Sequence, residues 1–282
     1  MEIRLVKPEE CRQLVPIQIA AWKMEPEEAM PHHFFVAAIK TGSLVVGAYD
    51  GDKMVGFIYS FPSLAFQRDL PTHEMDMMAV YPEYQRLGVA QALFQGYFRE
   101  LGPHCERWKM EPLVSGTFDP FLSHNAHIYV RKFGSIGAKF ITDLYGEMSG
   151  IYEGLRTDRF QTLFRPLGVH SQARMRGLPS DLDVPYEPEG RSINTIEFED
   201  DLPRLESVSL ELDSDVLFYK MPYDIALMKA KNLPMAVDWQ QRTAQAFNHY
   251  INQGGWVMTD YLRQQNPKPF NVYVLRRDVT VE

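Results

Sequence analysis

The sequence predicts an α/β chain built on a mixed sheet, in the α+β manner, with a smaller C-terminal α/β extension. Three observations carry this. From Glu2 to Tyr145, segments with apolar residues at period two are interleaved with segments where they recur at helical spacing. Glycine and proline turn signals separate these segments. Past Arg165 the composition shifts, and a polar, proline-bearing stretch from Leu178 to Arg191 reads as a linker or surface loop before a second unit. With 282 residues the chain exceeds a typical single domain, so we expect one domain over 1–165 and an extension over 166–282.

Glu2–Val6 reads as a short alternating strand. Pro8-Glu9-Glu10 then opens a helix in which Cys11, Leu14, Val15, Ile19 and Trp22 keep helical spacing. A second helix spans 31–40 and stops at Thr41-Gly42. The strands 44–49 and 54–61 flank Asp50-Gly51-Asp52-Lys53, a hairpin signal. After the loop 62–72 comes an alternating strand, 73–80. A helix from Arg86 to about Leu101 is expected to end at Gly102-Pro103, followed by a strand over 106–114. A helix over 123–133 closes at Gly134, and a strand over 139–145 follows. In the extension, strands are expected at 193–197 and 215–220, then a helix over 234–252, then a strand pair at 256–261 and 271–275.

Composition narrows the function classes. The chain is 45% hydrophobic and 23% charged, as in ordinary globular proteins. Its net charge of −8, without a basic cluster interleaved with aromatics, argues against nucleic acid and against an anionic membrane surface as partner. Cys11 and Cys105 are the only cysteines, too few for a disulfide framework and unspaced for a metal site. No apolar run approaches the ~20 residues of a membrane helix, and the N-terminus lacks a signal pattern, so a cytoplasmic location is expected. The mild acidity favours amine-bearing small molecules as partners, and a monomer or homodimer is expected.

The densest information lies in residues 77–94. The strand through Met78, Ala79 and Val80 is broken by Pro82, and Gln85-Arg86-Leu87-Gly88-Val89-Ala90 leads into a helix. The first amides of such a helix lack intrahelical partners and stand at the positive end of its dipole, so they can hold a pyrophosphate without a metal. Gly88 and the small Ala90 keep the approach open, and Gln85 and Arg86 can add donors. This hexapeptide resembles the Q/R-x-x-G-x-G/A signature of the GNAT acyltransferases, which bind acyl-coenzyme A. The element order over 1–165 is similar to that fold. A predicted GNAT subgroup with a C-terminal extension resembles the chain end to end, including Thr117-Phe118-Asp119-Pro120, Tyr145-Gly146 and Thr157-Asp158-Arg159.

The resemblance implies acetyl-CoA, or another acyl-CoA with succinyl-CoA possible, as cofactor, and an amine as acceptor. Met78 to Val80 and Gln85 to Ala90 are its expected contacts, with the Val80 amide facing the thioester oxygen at a splay between 73–80 and 106–114. His73, Glu74 and Asp76 are polar on an otherwise apolar strand, and Glu74 and Asp76 alternate onto one face. Paired carboxylates raise one another's pKa toward the range of a general base; solvent exposure or pairing with an arginine is the competing reading. The subgroup carries histidines at 74 and 76, so a histidine base is not implied here.

The family also places an Asn on the cofactor and a Tyr on the leaving thiolate, which points to Asn125 and Tyr129. Tyr129 lies five residues before Gly134 where the family's Tyr lies four before, here Val130. On an α-helix that offset turns the phenol by about 100°, so core packing competes with catalysis. Asn125 or Ser123 could equally cap the helix start. No metal is expected. The extension is expected to wall the acceptor side. The resulting expectation is an N-acyltransferase acting by direct transfer in a ternary complex; a noncatalytic acyl-CoA sensor or interaction protein is the alternative.

Overall fold

The computed structural model describes residues 1–64, 69–148 and 150–279. The chain divides into two compact units, Met1–Gly116 with Ser149–Ile151, and Thr117–Met148 with Tyr152–Glu282. This division falls at 116/117, whereas the sequence placed a boundary at 165.

In the first unit, β1 (Glu2–Leu5), β2 (Leu44–Asp50), β3 (Lys53–Ser63) and β4 (Thr72–Val80) pair antiparallel in that order, and the first three residues of β5 (Val114–Phe118) add in parallel to β4. Helix α1 (Leu14–Trp22), entered through a 3-10 turn at Pro8–Gln13, and α2 (His32–Lys40) cover one face, where Leu14, Ile17 and Phe35 pack against Val45, Phe57, Tyr59 and Ala79. Helix α3 (Val89–Trp108) covers the other. It comes so close to β1 that a Cβ at Gly96 would overlap Ile3. The hairpin between β2 and β3 turns through Gly51 and Asp52, with Gly51 at φ +60°. Arg4 grips Glu10 with two hydrogen bonds of 2.8 and 2.6 Å and stacks 3.7 Å over Tyr49, which ties β1 to the turn before α1.

Two expectations fail together. The helix does not end at Gly102-Pro103 but continues to Trp108, and residues 106–113 are consequently not a strand. An interior proline costs about 3 kcal/mol. Leu101 and Cys105, on the stripe of Leu93, Phe94 and Tyr97, are both nearly fully buried, and their burial offsets that cost. The helix also begins at Val89 rather than Arg86.

In the second unit, β6 (Ile136–Ile141), β7 (Arg159–Phe164), β10 (Val216–Met221), β11 (Val257–Gln264) and β12 (Phe270–Arg276) form an antiparallel sheet in the order β7-β6-β11-β12-β10, and β8 (Asn194–Glu199) pairs with β9 (Leu202–Val208) as a separate hairpin. The α-helices among the described residues here are α4 (Ser123–Ala126), α5 (Val169–Met175), α6 (Ile225–Lys231) and α7 (Leu233–Phe247). Strands β7 and β9 and helices α5 and α6 were not expected. Trp239, Phe247 and Tyr250 share one core with Phe118, Phe140 and Phe160, so residues 117–164 fold with the C-terminal region. Asn252 fixes this by bonding both the N–H and the C=O of Phe140. The stretch 178–191 has no regular secondary structure, yet Tyr186 packs edge-on against Phe218 and Asp183 pairs with buried Arg174, so it is a pinned surface loop within this unit.

The element order β1-α1-α2-β2-β3-β4-α3-β5-α4-β6 is the one that the resemblance implies, and the expected mixed α/β class holds.

Asp119 is buried, and burial pushes its carboxyl from 3.8 to about 6, against the opposing pull of Arg159 and the Phe121 N–H. Because the folded value lies above the unfolded one, its stabilising protonation is complete below pH 3.8 and is lost as pH rises through about 6. Two pH units correspond to roughly 3 kcal/mol. We expect Asp119→Asn to flatten the stability profile between pH 4 and pH 6, as read by denaturant titration at each pH. An unchanged profile would show that Asp119 does not titrate there.

Candidate active site

Strand β4 is shaped by one irregularity and one early ending. Tyr59 pairs with Met77 and Ser60 with Met75, so Asp76 is the extra residue of a β-bulge. Beyond the bulge, the Tyr81 N–H donates to the Val55 carbonyl at 2.9 Å, which sets the ladder's parity. Tyr81, Ala79 and Met77 turn their main-chain groups to β3, while Val80 and Met78 turn theirs to the opposite edge. On that edge the parallel ladder with β5 covers only His73 to Met75, opposite Val114 to Gly116. The amides of Met78 and Val80 therefore emerge where β4 and β5 no longer pair. The Val80 carbonyl, on the same edge, accepts a 3.1 Å bond from Gln85 Nε2, so Gln85 spends its side chain on bracing the turn.

The turn delivers the chain into α3 through two left-handed residues, Arg86 at φ +63° and Gly88 at φ +82°. Gly88 occupies the N-cap position, and no side chain caps the helix. Among the described residues the amides at the start of α3 meet no protein acceptor. Val89, 1% exposed, anchors the helix start, while Leu87 is 66% exposed. A Cβ at Gly88 would meet no atom within 4 Å. The glycine is needed for its backbone angle, and the space above it is open. Ala90 is half-buried and Arg86 exposed. This geometry fits a diphosphate.

Glu74 and Asp76 do share a face of β4. The Ser115 hydroxyl donates to the Glu74 carboxylate and also to the His73 carbonyl. Burial pushes the Glu74 carboxyl above its ordinary range; the Ser115 bond opposes this and the Asp76 charge adds to it. Asp76 reaches water at the bulge, yet the protein atoms around its carboxyl displace enough solvent to push it up as well. Neither forms an ion pair with an arginine among the described pairs.

His73, on the opposite face, belongs to a buried chain that the sequence did not reveal. Tyr97 donates to Ser60 Oγ at 2.9 Å, and Ser60 lies 3.0 Å from His73 Nδ1. Ser60 Oγ accepts from Tyr97 and closes the chain on Nδ1, while His73 Nε2 is buried with no hydrogen-bond partner among the described residues. Burial, and the neighbouring His104, push His73 down to about 3, so it is neutral at physiological pH. The sequence trace of this chain is a serine, a tyrosine and His73 itself, each standing within an otherwise apolar stripe.

Tyr129 and Asn125 belong to the second unit. Helix α4 gives way to a π-helical turn at His127–Lys132, where the Phe133 N–H bonds to the Ile128 carbonyl at 3.1 Å. Each such turn holds about one residue more than an α turn, so five residues there rotate the chain about as far as four do in an α-helix. The α spacing behind the expected 100° offset therefore does not hold across this segment. The phenol stacks on Phe118 with ring centroids 5.7 Å apart, and burial pushes it up to about 12. Asn125 is half-buried and does not cap α4, whose N-cap is Leu122; Ser123 instead donates to the Tyr223 carbonyl at 3.0 Å. The loop over 62–72 lies partly outside the described residues. Among the described residues no group of three His, Cys, Asp or Glu could hold a metal ion, and no helix is long and apolar enough to cross a membrane.

Residues 2–103 match the family model of the acetyltransferase (GNAT) domain. No curated protein matches the chain. Among solved structures, the ribosomal-protein-S18-alanine N-acetyltransferase of Escherichia coli is 16% identical over 58% of this chain and 92% of its own, at a TM-score of 0.45. Aminoglycoside 6'-acetyltransferase type Ii is 15% identical over 60% and 99%, at 0.45. An acetyltransferase of the GNAT family from Streptococcus pneumoniae is 13% identical over 57% and 97%, at 0.43.

Proposed function

Residues 2–103 carry a GNAT acetyltransferase domain, and on that premise we propose that the protein moves an acetyl group from acetyl-CoA to a primary amine of a small molecule by direct transfer in a ternary complex. The observation that carries this reading is the pairing of an uncapped α3 start at Gly88 with the Val80 amide on the edge of β4 beyond the β4–β5 ladder. Both are fixed donors that need no rearrangement to meet a ligand. Acetyl-CoA, when bound, supplies an activated thioester and a thiolate that can leave.

The residues of the chain then divide the work. The amides around Gly88 to Ala90 hold the diphosphate. The amides of Met78 and Val80 donate to the acyl end, Val80 to the oxygen on which charge grows. An amine is protonated at neutral pH, since its free pKa lies near 8 to 10. Glu74, raised by burial, takes one proton from the ammonium and so frees the lone pair that attacks; as the N–C bond forms and the C–S bond breaks, the second nitrogen proton replaces the one given to the departing sulfur. From the resemblance of residues 125–134, Asn125 is proposed as a cofactor contact and Tyr129 as the proton donor to the departing sulfur. Succinyl-CoA is the second candidate donor.

The test is thioester consumption with a panel of amino acids, polyamines and arylalkylamines. Amine-dependent release of free thiol is the expected result. Coenzyme A binding without turnover across the panel would favour the noncatalytic sensor, a reading motivated by the stacked, buried setting of Tyr129.

A further inference from the structure

A cavity of about 510 Å³ opens between α2 and strands β3 and β4, wholly within the first unit. Its size falls in the range of small-molecule sites, about 300–1,000 Å³. Met30, Phe34, Ala37, Tyr59 and Phe61 supply apolar and aromatic walls. Among the described residues Asp76 is the one charged residue in the lining. It stands at the β4 bulge, where the extra residue re-aims its side chain, and four residues before Val80 on the same strand. The Tyr59 hydroxyl, hydrogen-bonded to Ser43, lies within the field of that carboxylate.

We propose that this cavity takes the acceptor, and that the acceptor is a monoamine carried on a single aromatic ring through a short alkyl chain, with its ammonium facing Asp76 and its ring against Phe34, Tyr59 and Phe61. The substrate class rests on the acyltransferase reading; the binding site does not. One carboxylate matches one ammonium. A polyamine or an aminosugar would bring further ammonium groups against a lining in which, among the described residues, Asp76 is the only carboxylate, and with Glu74 occupied by the reacting proton each would be an unpaired charge removed from water. An aromatic ring, by contrast, gains from burial against three aromatic side chains. The apolar walls fix the body of the ligand, and the carboxylate fixes its polar end. Asp76 thus holds the amine, while Glu74 remains the group that receives its proton.

The experiment measures binding of 2-phenylethylamine to the full chain by calorimetry, with spermidine and 3-phenylpropionate as comparisons, both without coenzyme A and at saturating coenzyme A. Phenylethylamine is expected to bind at least about tenfold more tightly than either comparison. Asp76→Asn is expected to lose about tenfold or more in amine affinity, the effect of removing a partly desolvated charge pair. Ala37→Phe, which fills the cavity from α2, is expected to abolish amine binding while leaving coenzyme A affinity intact, and its melting temperature reports whether the fold survives. Tighter binding of spermidine, or undiminished amine affinity in both variants, would overturn the proposal. The two readings fail separately. Phenylethylamine binding without any thioester consumption leaves the cavity assigned and removes the transferase. Acetylation of other amines with no phenylethylamine binding in either condition does the reverse.

Discussion

A Gly88→Asp variant is expected to lose coenzyme A binding by at least about a hundredfold, measured by calorimetry. Two costs combine. Gly88 sits at φ +82°, a conformation that costs an L residue roughly 1–2 kcal/mol. The new carboxylate would also project into the open space above the α3 start, where no protein atom lies within 4 Å of a Cβ, and there it would meet a diphosphate. Like charges about 4 Å apart near a protein surface repel by about 4 kcal/mol before salt screening. Gly88→Ala separates the terms. Its methyl enters open space, so only the backbone cost applies, and a loss of at most about tenfold is expected. Because Gly88 is exposed, both variants should keep the wild-type melting temperature to within a few degrees. Unchanged affinity in the aspartate variant would remove the phosphate seat and with it the transferase reading.

Glu74→Gln should leave coenzyme A affinity intact and lower kcat by about a hundred- to a thousandfold, the usual worth of a general base. Its pH profile is more diagnostic than its rate. Burial raises the Glu74 carboxyl, so in the wild type activity should climb with pH through a limb lying above the ordinary carboxylate range, because the base works only when deprotonated. The glutamine variant cannot titrate and should lose that limb. Retention of both kcat and the limb would assign the base elsewhere. The amide preserves the acceptor oxygen that Ser115 donates to, so the strand geometry around it should survive the change.

Much of the site was readable from local sequence because its elements are set by local rules. The hairpin at Gly51, the break at Pro82 and the glycine before Val89 each demand a particular backbone conformation, and few residues adopt it. Alternation placed Glu74 and Asp76 on one face of a strand, but it is the bulge at Asp76, which alternation does not foresee, that aims the Asp76 side chain. What failed failed where a distant contact outweighed a local signal. Gly102-Pro103 is a strong stop, yet Leu101 and Cys105 reach the core and carry α3 to Trp108, which displaces β5 to Val114. The spacing argument about Tyr129 assumed α geometry in a segment that widens into a π turn.

The sequence by itself determined the mixed α/β class, the order of elements through β6 and the glycine turn before α3, since each follows from periodicity and backbone preference within a few residues. Only the tertiary structure decided that residues 117–164 share a core with α7, that Ser115 holds Glu74, that Ser60 and Tyr97 hold His73, and that α2 and the β4 bulge enclose a cavity around Asp76. Those features join residues far apart in the chain. Burial decides between the possible partners, and burial is a property of the packed chain that no local window contains.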